Sequence, residues 1–351
     1  MEFTTFKKTG ILILSSALFG LTGCGNDGST SGEDSGSNQK AEETETTDVE
    51  EKDYPSTVTI GTASQGGAYY LIGGGLGNLL EENLDVSSNV EATGGPIHNL
   101  QLLNSGDSQL GMVTTGPLAE AYSGEGDWLE EQFDGIRVAF PMYYTPFHWW
   151  SREETDATSL QDLQDQRVGV GPSGGTSGTY APMIHEILGL NTDDVQAGIG
   201  DLASQMLDRQ LDYIGFAGGL PTPSVTEIEA QADINIFGIE GEDRDKVMEE
   251  MDYFDTYTIS SDTYESLEED IESIAMYNFG VVNEEASEEF VYDLVKAYHE
   301  NIDQMISTHS ALGEAEDLEA ILKNQQYPMH PGAIRYYEEN DIDLPEEVYP
   351  E

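Results

Sequence analysis

Short apolar runs alternate with longer amphipathic stretches from residue 57 onward. Thr57 to Thr62 reads as a strand, bounded by the glycine-rich break Ala63-Ser64-Gln65-Gly66-Gly67. Ala68 to Glu82 follows with helical spacing. Val86 to Ala92 is a second strand, and Gly94-Gly95-Pro96 opens a helix through Leu103, with Pro96 tolerated in the first turn. Gln109 to Thr114 is a third strand, and a helix follows Pro117. Ile136 to Tyr144 and Phe147 to Ser151 read as two further strands. The same grammar restarts near Ser159. It gives a buried strand over Arg167 to Gly171, a loop, and a helix over Gly178 to Leu188. Helices over Ala203 to Arg209 and Thr222 to Ala232 alternate with strands over Asp212 to Phe216 and Ile234 to Ile239. A strand over Ile271 to Val282 and long helices over Glu288 to Ile306 then complete the pattern. Alternating strands and helices predict parallel sheets covered on both faces. The expected architecture is two α/β lobes, with the chain crossing near residues 145–155 and 255–270.

The chain begins differently. Lys7 and Lys8 precede an apolar run from Gly10 to Leu21, far short of the ~20 residues a membrane span needs. A charged start, a short apolar middle and small residues are the layout of a secretory signal. Cys24 is the only cysteine and directly follows Leu21-Thr22-Gly23. That placement resembles the lipid-modified cysteine of bacterial-type lipoproteins; the alternative is an ordinary signal peptide with an incidental cysteine. Residues 24–54, rich in Gly, Ser, Thr, Glu and Asp, have too little apolar surface to fold alone and read as an acidic tether. The expected chain is therefore extracytoplasmic and held to the outer face of the cell membrane by acyl groups.

Charge narrows the partners. Lys and Arg total 13 against 68 Asp and Glu, a net charge of −55. Without residues 1–23, which hold Lys7, Lys8 and Glu2, the balance is 11 against 67. Nucleic acid is excluded, because binding it needs a positive footprint. Self-repulsion on this scale weakens a fold in dilute buffer, but the Debye length falls to about 3 Å at molar salt. The composition therefore argues for a salt-rich habitat. With one cysteine, no disulfide can form within the fold.

Ligands of open parallel sheets bind beyond the carboxyl ends of the strands. Three glycine- and hydroxyl-rich loops occupy such positions. They are Thr62 to Tyr70, Thr93 to Asn99 together with Thr114-Thr115-Gly116, and Gly171 to Ser177. Each leads into a helix, whose free N–H groups suit an anion; the plainer reading is tight turns and helix caps. Three such loops from two lobes favour a cleft for a small polar or carboxylate ligand. Gly171-Pro172-Ser173-Gly174-Gly175 also matches G-x-S-x-G between a strand and a helix, with His330 far downstream, which raises a secreted serine hydrolase as an alternative. The six histidines have no paired ligand spacing, so no metal is expected. Phosphate loops are lacking too, and no cofactor is expected. Gly73-Gly74-Gly75-Leu76-Gly77 sits inside a helical stretch and reads as close helix packing. Tyr143, Tyr144, Trp149 and Trp150 cluster at the lobe crossing and read as core, with a ligand-facing aromatic as the alternative.

Several stretches together carry a family resemblance. They are Gly61-Thr62 with Gly67-Ala68-Tyr69-Tyr70, Ala92-Thr93-Gly94-Gly95 through Asn99, and Leu102 to Gly106. Asp162-Leu163 with Arg167 to Gly171, and Phe216-Ala217-Gly218-Gly219-Leu220-Pro221, add to these. The most specific is His330-Pro331-Gly332-Ala333-Ile334-Arg335-Tyr336-Tyr337. Over about Val58 to Glu339 the chain resembles the TAXI-type solute-binding subunits of tripartite ATP-independent periplasmic (TRAP) transporters. The resemblance implies a type II periplasmic-binding fold with the ligand between lobes, no bond chemistry, and delivery of solute to membrane permease subunits. It implies a small organic acid or amino acid, of the glutamate or 2-oxoglutarate kind. Three local departures affect the ligand. Pro96 stands where the family usually has a serine, Thr115-Gly116 where it commonly has Ser-Asp, and Gly174-Gly175-Thr176-Ser177 replaces Gly-Ser-Gly-Thr.

The expected contacts follow. Gly67, Thr176 and Ser177 would present main-chain N–H groups to a carboxylate, with Gly175 a further ligand contact. Ser64, Thr115 and Ser177 would add hydroxyls, with Thr62 a further ligand contact. Tyr70 would wall the cleft beside Gly219, and Asn99 would hold a loop or a ligand polar group. Arg152 or Arg209 could pair with a second carboxylate or brace a lobe surface. His330 and Arg335 would lock the C-terminal segment onto the first lobe. The expected division is a signal peptide over 1–23, the tether over 24–54, lobe one over 55–147 and 265–351, and lobe two over 148–264. A sensory lipoprotein with the same fold is the other alternative to transport.

Overall fold

The computed structural model describes residues 52–129, 132–316, 318–323 and 325–350. Cys24, the expected signal peptide and nearly all of the expected tether lie outside the described residues. The last tether residues pack onto the body: Lys52 Nζ lies 2.8 Å from Asp293 Oδ2, and the Tyr54 ring meets Phe290 edge-on.

Ten strands form one continuous, strongly divided sheet. They are β1 (Thr57–Gly61), β2 (Ser87–Glu91), β3 (Leu110–Thr114), β4 (Ile136–Arg152), β5 (Arg167–Gly171), β6 (Asp193–Gln196), β7 (Tyr213–Ala217), β8 (Ile234–Phe237), β9 (Asp255–Ile259) and β10 (Ile271–Asn283). The order runs β2-β1-β3-β10-β4-β7-β5-β6, with β8 on β4 and β9 on β10. The expected parallel pairing holds for β2-β1-β3 and for β6-β5-β7. The centre is antiparallel instead: β10 runs against β3 and β4, and β4 against β7 and β8. The sheet is thus mixed, because two long strands pass from one half to the other rather than returning through a helix.

The two strands read separately from sequence are one. β4 extends unbroken through Thr145 and Pro146; its first part pairs with β10, and Phe147 to Ser151 pair with β7. Hydrophobic packing divides at the same place. One cluster gathers residues up to Tyr143 and again from Tyr277 to Val348. Two others gather residues from Phe147 to Met276, including Tyr264, Leu267 and Ile274. The chain therefore passes between the packed halves at residues 143–147 and 276–277.

Six helices position the site: α1 (Ala68–Leu84), α2 (Pro96–Ser105), α3 (Thr115–Ser123), α4 (Thr176–Ile187), α5 (Ile199–Leu207) and α6 (Pro223–Glu229). Among the described residues, no helix is long and apolar enough to cross a membrane. The glycine run in α1 lets that helix lie close on the sheet. A Cβ on Gly73 would run into the Thr62 methyl group and stand 3.2 Å from Val90 Cγ1, whereas one on Gly74 would meet nothing within 4 Å. Adjacent substitutions are therefore expected to have opposite signs. Gly73→Ala should destabilise the fold by about 1–3 kcal/mol through overpacking. Gly74→Ala should stabilise it by roughly 0.5–1 kcal/mol through helix propensity. Thermal denaturation of both variants measures this, and equal effects would contradict the packing described.

Candidate functional site

Between the two halves lies a cavity of about 50 Å³. Its walls come from the loops that end β1, β5 and β7, from the Gly94-Gly95-Pro96 turn, and from Tyr143 and Thr145 in β4. Three helices begin at this wall, and each has a glycine at its N-cap: Gly67 for α1, Gly95 for α2 and Gly175 for α4. None of the three has a side-chain cap. The first-turn N–H groups of a helix have no intrahelical acceptor, so α1 and α4 bring uncapped donors, with the positive ends of their dipoles, to one small space.

Glycine is required here by close approach. Gly95 has φ +114, and a Cβ on it would stand 2.9 Å from Gly175 Cα. Across the cleft, Ile97 N–H donates to Gly174 O at 3.0 Å. Further bonds join the halves: Ser224 Oγ donates to Gly66 O at 3.0 Å, Thr114 and Thr176 hydroxyls lie 3.1 Å apart, and Tyr180 OH donates to Glu120 Oε1 at 2.8 Å. The halves are in contact around the cavity, which is the closed form of a cleft.

The site residues expected from sequence separate into two groups. Ser64, Gly67, Gly175, Thr176, Ser177 and Gly219 all line the cavity. Thr62, Asn99, Tyr70 and Thr115 do not. Thr62 and Asn99 are buried braces beneath it. Asn99 Nδ2 donates to Thr62 O at 2.8 Å and to Met112 O at 2.9 Å, while its Oδ1 accepts from Thr93 at 2.7 Å. Thr62 Oγ1 donates to Glu91 O at 2.6 Å. Asn99 therefore holds the loops of β1, β2 and β3 together. Thr115 Oγ1 reaches Tyr253 O at 3.2 Å, away from the cavity. The aromatic that lines the cavity from α1 is Tyr69, the neighbour of Tyr70, because the helix turns residue 69 inward toward Asn278. Arg152 and Arg209 both pair with Glu154, at 2.7 and 3.0 Å, and Arg152 also lies 3.3 Å from Asp212. These pairs brace the second half.

Ser173 is exposed, and His330 is engaged elsewhere. His330 Nδ1 accepts from Gly332 N–H at 3.2 Å, capping the helix Pro331–Glu339, and Nε2 lies 3.1 Å from Ala286 O. The pair does not assemble a nucleophile and base. Arg335 pairs with Glu288 at 2.7 Å, fixing the same C-terminal helix to its neighbour.

Sequence reasoning passed over several lining groups as site residues: Tyr69, Tyr143, Thr145 and Phe216. Phe216 opens the motif that runs through Gly219 to Pro221, so its place at a strand end was the available signal. Tyr143 reads as core at the lobe crossing, with a ligand-facing aromatic as the alternative, whereas Thr145 carries no signal, because only the passage of β4 between halves brings it to the cavity.

The loop carrying Gly219 is itself braced. Thr222 N–H donates to Tyr264 OH at 2.8 Å, and that hydroxyl lies 3.1 Å from His148 Nε2. With Tyr264 accepting from Thr222, His148 Nε2 is the natural acceptor of the phenol proton, and Nδ1, 3.3 Å from Pro146 O, carries the hydrogen.

This architecture defines a class. Two α/β halves joined by crossing strands, with a small cavity between facing glycine turns, are the type II periplasmic-binding-protein fold. The chain belongs to the NMT1-like family, whose model matches residues 60–340. Solved structures agree on the fold. MatC from Rhodopseudomonas palustris with bound malate is 14% identical, with a TM-score of 0.54, over 82% of this chain and 98% of that one. The periplasmic binding protein BugD is 13% identical, with a TM-score of 0.52, over 83% of this chain and 100% of that one. A periplasmic transporter structure is 14% identical at TM-score 0.51, over 83% of this chain and 100% of that one.

Burial holds the His148 pKa down at about 4, and that of His299 likewise at about 4. Unfolded, each titrates near 6.5. Between these values the unfolded chain binds more protons, so stability present above pH 6.5 is lost as pH falls toward 4. Burial raises the Glu314 and Asp255 carboxyls, which opposes this trend lower in the range. His148→Gln should remove about 2–3 kcal/mol of the stability change between pH 6.5 and 4. Denaturation at the two pH values measures it, and an unchanged pH dependence would contradict the buried neutral imidazole.

Proposed function

We propose that this chain is the solute-binding lipoprotein of a TRAP transporter of the TAXI type. It captures a small organic acid or amino acid between its lobes and delivers it to the membrane permease. It catalyses no reaction. Residues 1–23 act as the signal peptide, Cys24 carries the acyl anchor, and the acidic segment after it spaces the body from the membrane. Residues 55–147 and 277–351 act as one lobe and 148–276 as the other, which moves the expected second crossing from residue 265 to the point where the packing divides.

One observation carries this reading: three glycine-capped helix starts, two from one half and one from the other, meet at a single cavity with hydroxyls of Ser64, Thr176 and Ser177 around it. The free first-turn N–H groups of α1 and α4 suit a carboxylate, whereas α2 begins at Pro96 and its Ile97 N–H is taken by Gly174 O. Contacts from both halves favour the closed state, so ligand and closure are coupled. Membership of the NMT1-like family and the periplasmic-binding fold support the class. The motif resemblance supports the TAXI assignment, and the charge of −55 supports work at high salt.

The test is binding and its dependence on closure. Mass spectrometry of the purified protein should find a small carboxylate, and that compound should raise the melting temperature in molar salt. A valine at Gly175 would press on Gly94 O, which stands 3.0 Å from the Cβ position. An overpacking penalty of about 1–3 kcal/mol on the closed state should weaken binding roughly 5–150-fold in Gly175→Val. Unchanged affinity in that variant, or hydrolysis of esters lost on Ser173→Ala, would contradict the proposal.

A further inference from the structure

The two faces of β4 have different surroundings where the halves join. Tyr143 lines the cavity, whereas Tyr144 lines a second groove, because successive strand residues point to opposite faces. On β10, Asn278 takes the Tyr69 hydroxyl on the cavity side, while its neighbours Tyr277 and Phe279 lie in the groove.

An unbroken run of rings builds this groove. Tyr144 meets Tyr277 edge-on at 4.8 Å, and Tyr277 lies 5.2 Å from Phe279. Phe279 meets Tyr327 edge-on at 6.3 Å, and Tyr327 stacks on Tyr122 at 5.9 Å. Tyr277 and Phe279 are buried, and Tyr122, Tyr144 and Tyr327 are half-buried. Tyr122 OH donates to Ile136 O, and Tyr327 OH points to Thr115 O at 3.5 Å. With those hydroxyls turned to the protein, the wall offers an occupant its rings. The other half supplies Asp252, Tyr253 and Asp255, and Thr115 Oγ1 donates to Tyr253 O at 3.2 Å across the seam.

Charge decides what fits. Both aspartates are exposed, and among the described residues no Lys, Arg or His lines the groove. Carboxylates repel an anion, and the negative faces of aromatic rings attract a cation. A metal ion is poorly matched. Among the described residues, no three His, Cys, Asp or Glu side chains are grouped to hold one, and rings do not replace the oxygen ligands that hard cations need. A weakly hydrated organic cation, with its charge spread over an apolar shell, suits both the rings and the carboxylates.

We propose that this groove is a second ligand site, separate from the cavity, for a small quaternary ammonium compound. Its methylated nitrogen packs on the aromatic wall beside Tyr144, and Asp252 and Asp255 balance its charge. The site takes residues from both halves, and it does not depend on solute capture.

Calorimetric titration of the protein in molar NaCl with tetramethylammonium, choline and dimethylbutanol, the uncharged carbon isostere of choline, tests it. Screening at that salt weakens the carboxylates more than ring contact. Both cations should bind, and dimethylbutanol should be about 10-fold weaker. Tyr144→Leu keeps apolar bulk without the ring and should weaken choline about 10-fold. The surface variant Asp252→Asn with Asp255→Asn should weaken it about 5-fold, and it serves should Tyr144→Leu fail to fold. No binding of either cation, or dimethylbutanol binding as tightly as choline, would overturn the proposal. So would choline binding that Tyr144→Leu and the double aspartate variant both leave unchanged, because the cation would then sit elsewhere.

Discussion

Gly94 and Gly95 on one side of the cleft, and Gly174 and Gly175 on the other, meet main chain to main chain. A Cβ on Gly94 would stand 2.7 Å from Ser173 O, and one on Gly175 would stand 3.0 Å from Gly94 O. Side chains would hold the halves apart at this seam. Their absence lets Ile97 N–H reach Gly174 O and brings the starts of α1, α2 and α4 to one wall. The absence also leaves those helices without side-chain caps. A serine or aspartate at an N-cap would satisfy the donors internally and add stability. The fold forgoes that stabilisation at the three helix starts surrounding the cavity, as it also does at α3, α5 and α6, so what sets the three apart is their convergence on one wall rather than the missing cap itself.

Closure is organised by the strands that cross. β4 and β10 belong to both halves, so any opening bends them between residues 143 and 147 and near 276 and 277. Tyr143 and Thr145 sit in that interval and line the cavity. Residues there would meet a solute bound as proposed and also sit where the two halves join. The chain from His148 through Tyr264 to the Thr222 N–H ties the second half to the loop bearing Gly219. For a solute bound as proposed, ligand contact and lobe geometry would share residues, which is the physical basis for coupling capture to closure.

Much of this was legible in the sequence because local rules governed it. Alternating short strands and helices exposed the two α/β halves, and glycine runs after strands exposed the loops at their carboxyl ends. Ser64, Gly67, Gly175, Thr176, Ser177 and Gly219 were placed at the cavity wall for that reason. Long-range geometry was not legible. Ile136 to Tyr144 and Phe147 to Ser151 read as separate strands, yet β4 runs through residues 145 and 146, its first part pairing with β10 and Phe147 onward with β7. The β6 strand, Asp-Asp-Val-Gln, has too little apolar pattern to stand out. Asn99 and Thr62 look like ligand groups by composition, but their hydrogen bonds are all spent on neighbouring loops. Tyr69 and Tyr70 are indistinguishable by type, and only the helix phase decides which faces inward.

The central claim is that a solute is gripped between the halves by main-chain amides and hydroxyls rather than by ion pairs. A crystal structure of the protein with its co-purified ligand tests this most directly. The account predicts a carboxylate within hydrogen-bond distance of the first-turn N–H groups of α1 and α4, with no charged side chain in contact. Density for the ligand outside this cavity, or a carboxylate clasped by Arg152 or Arg209, would contradict it.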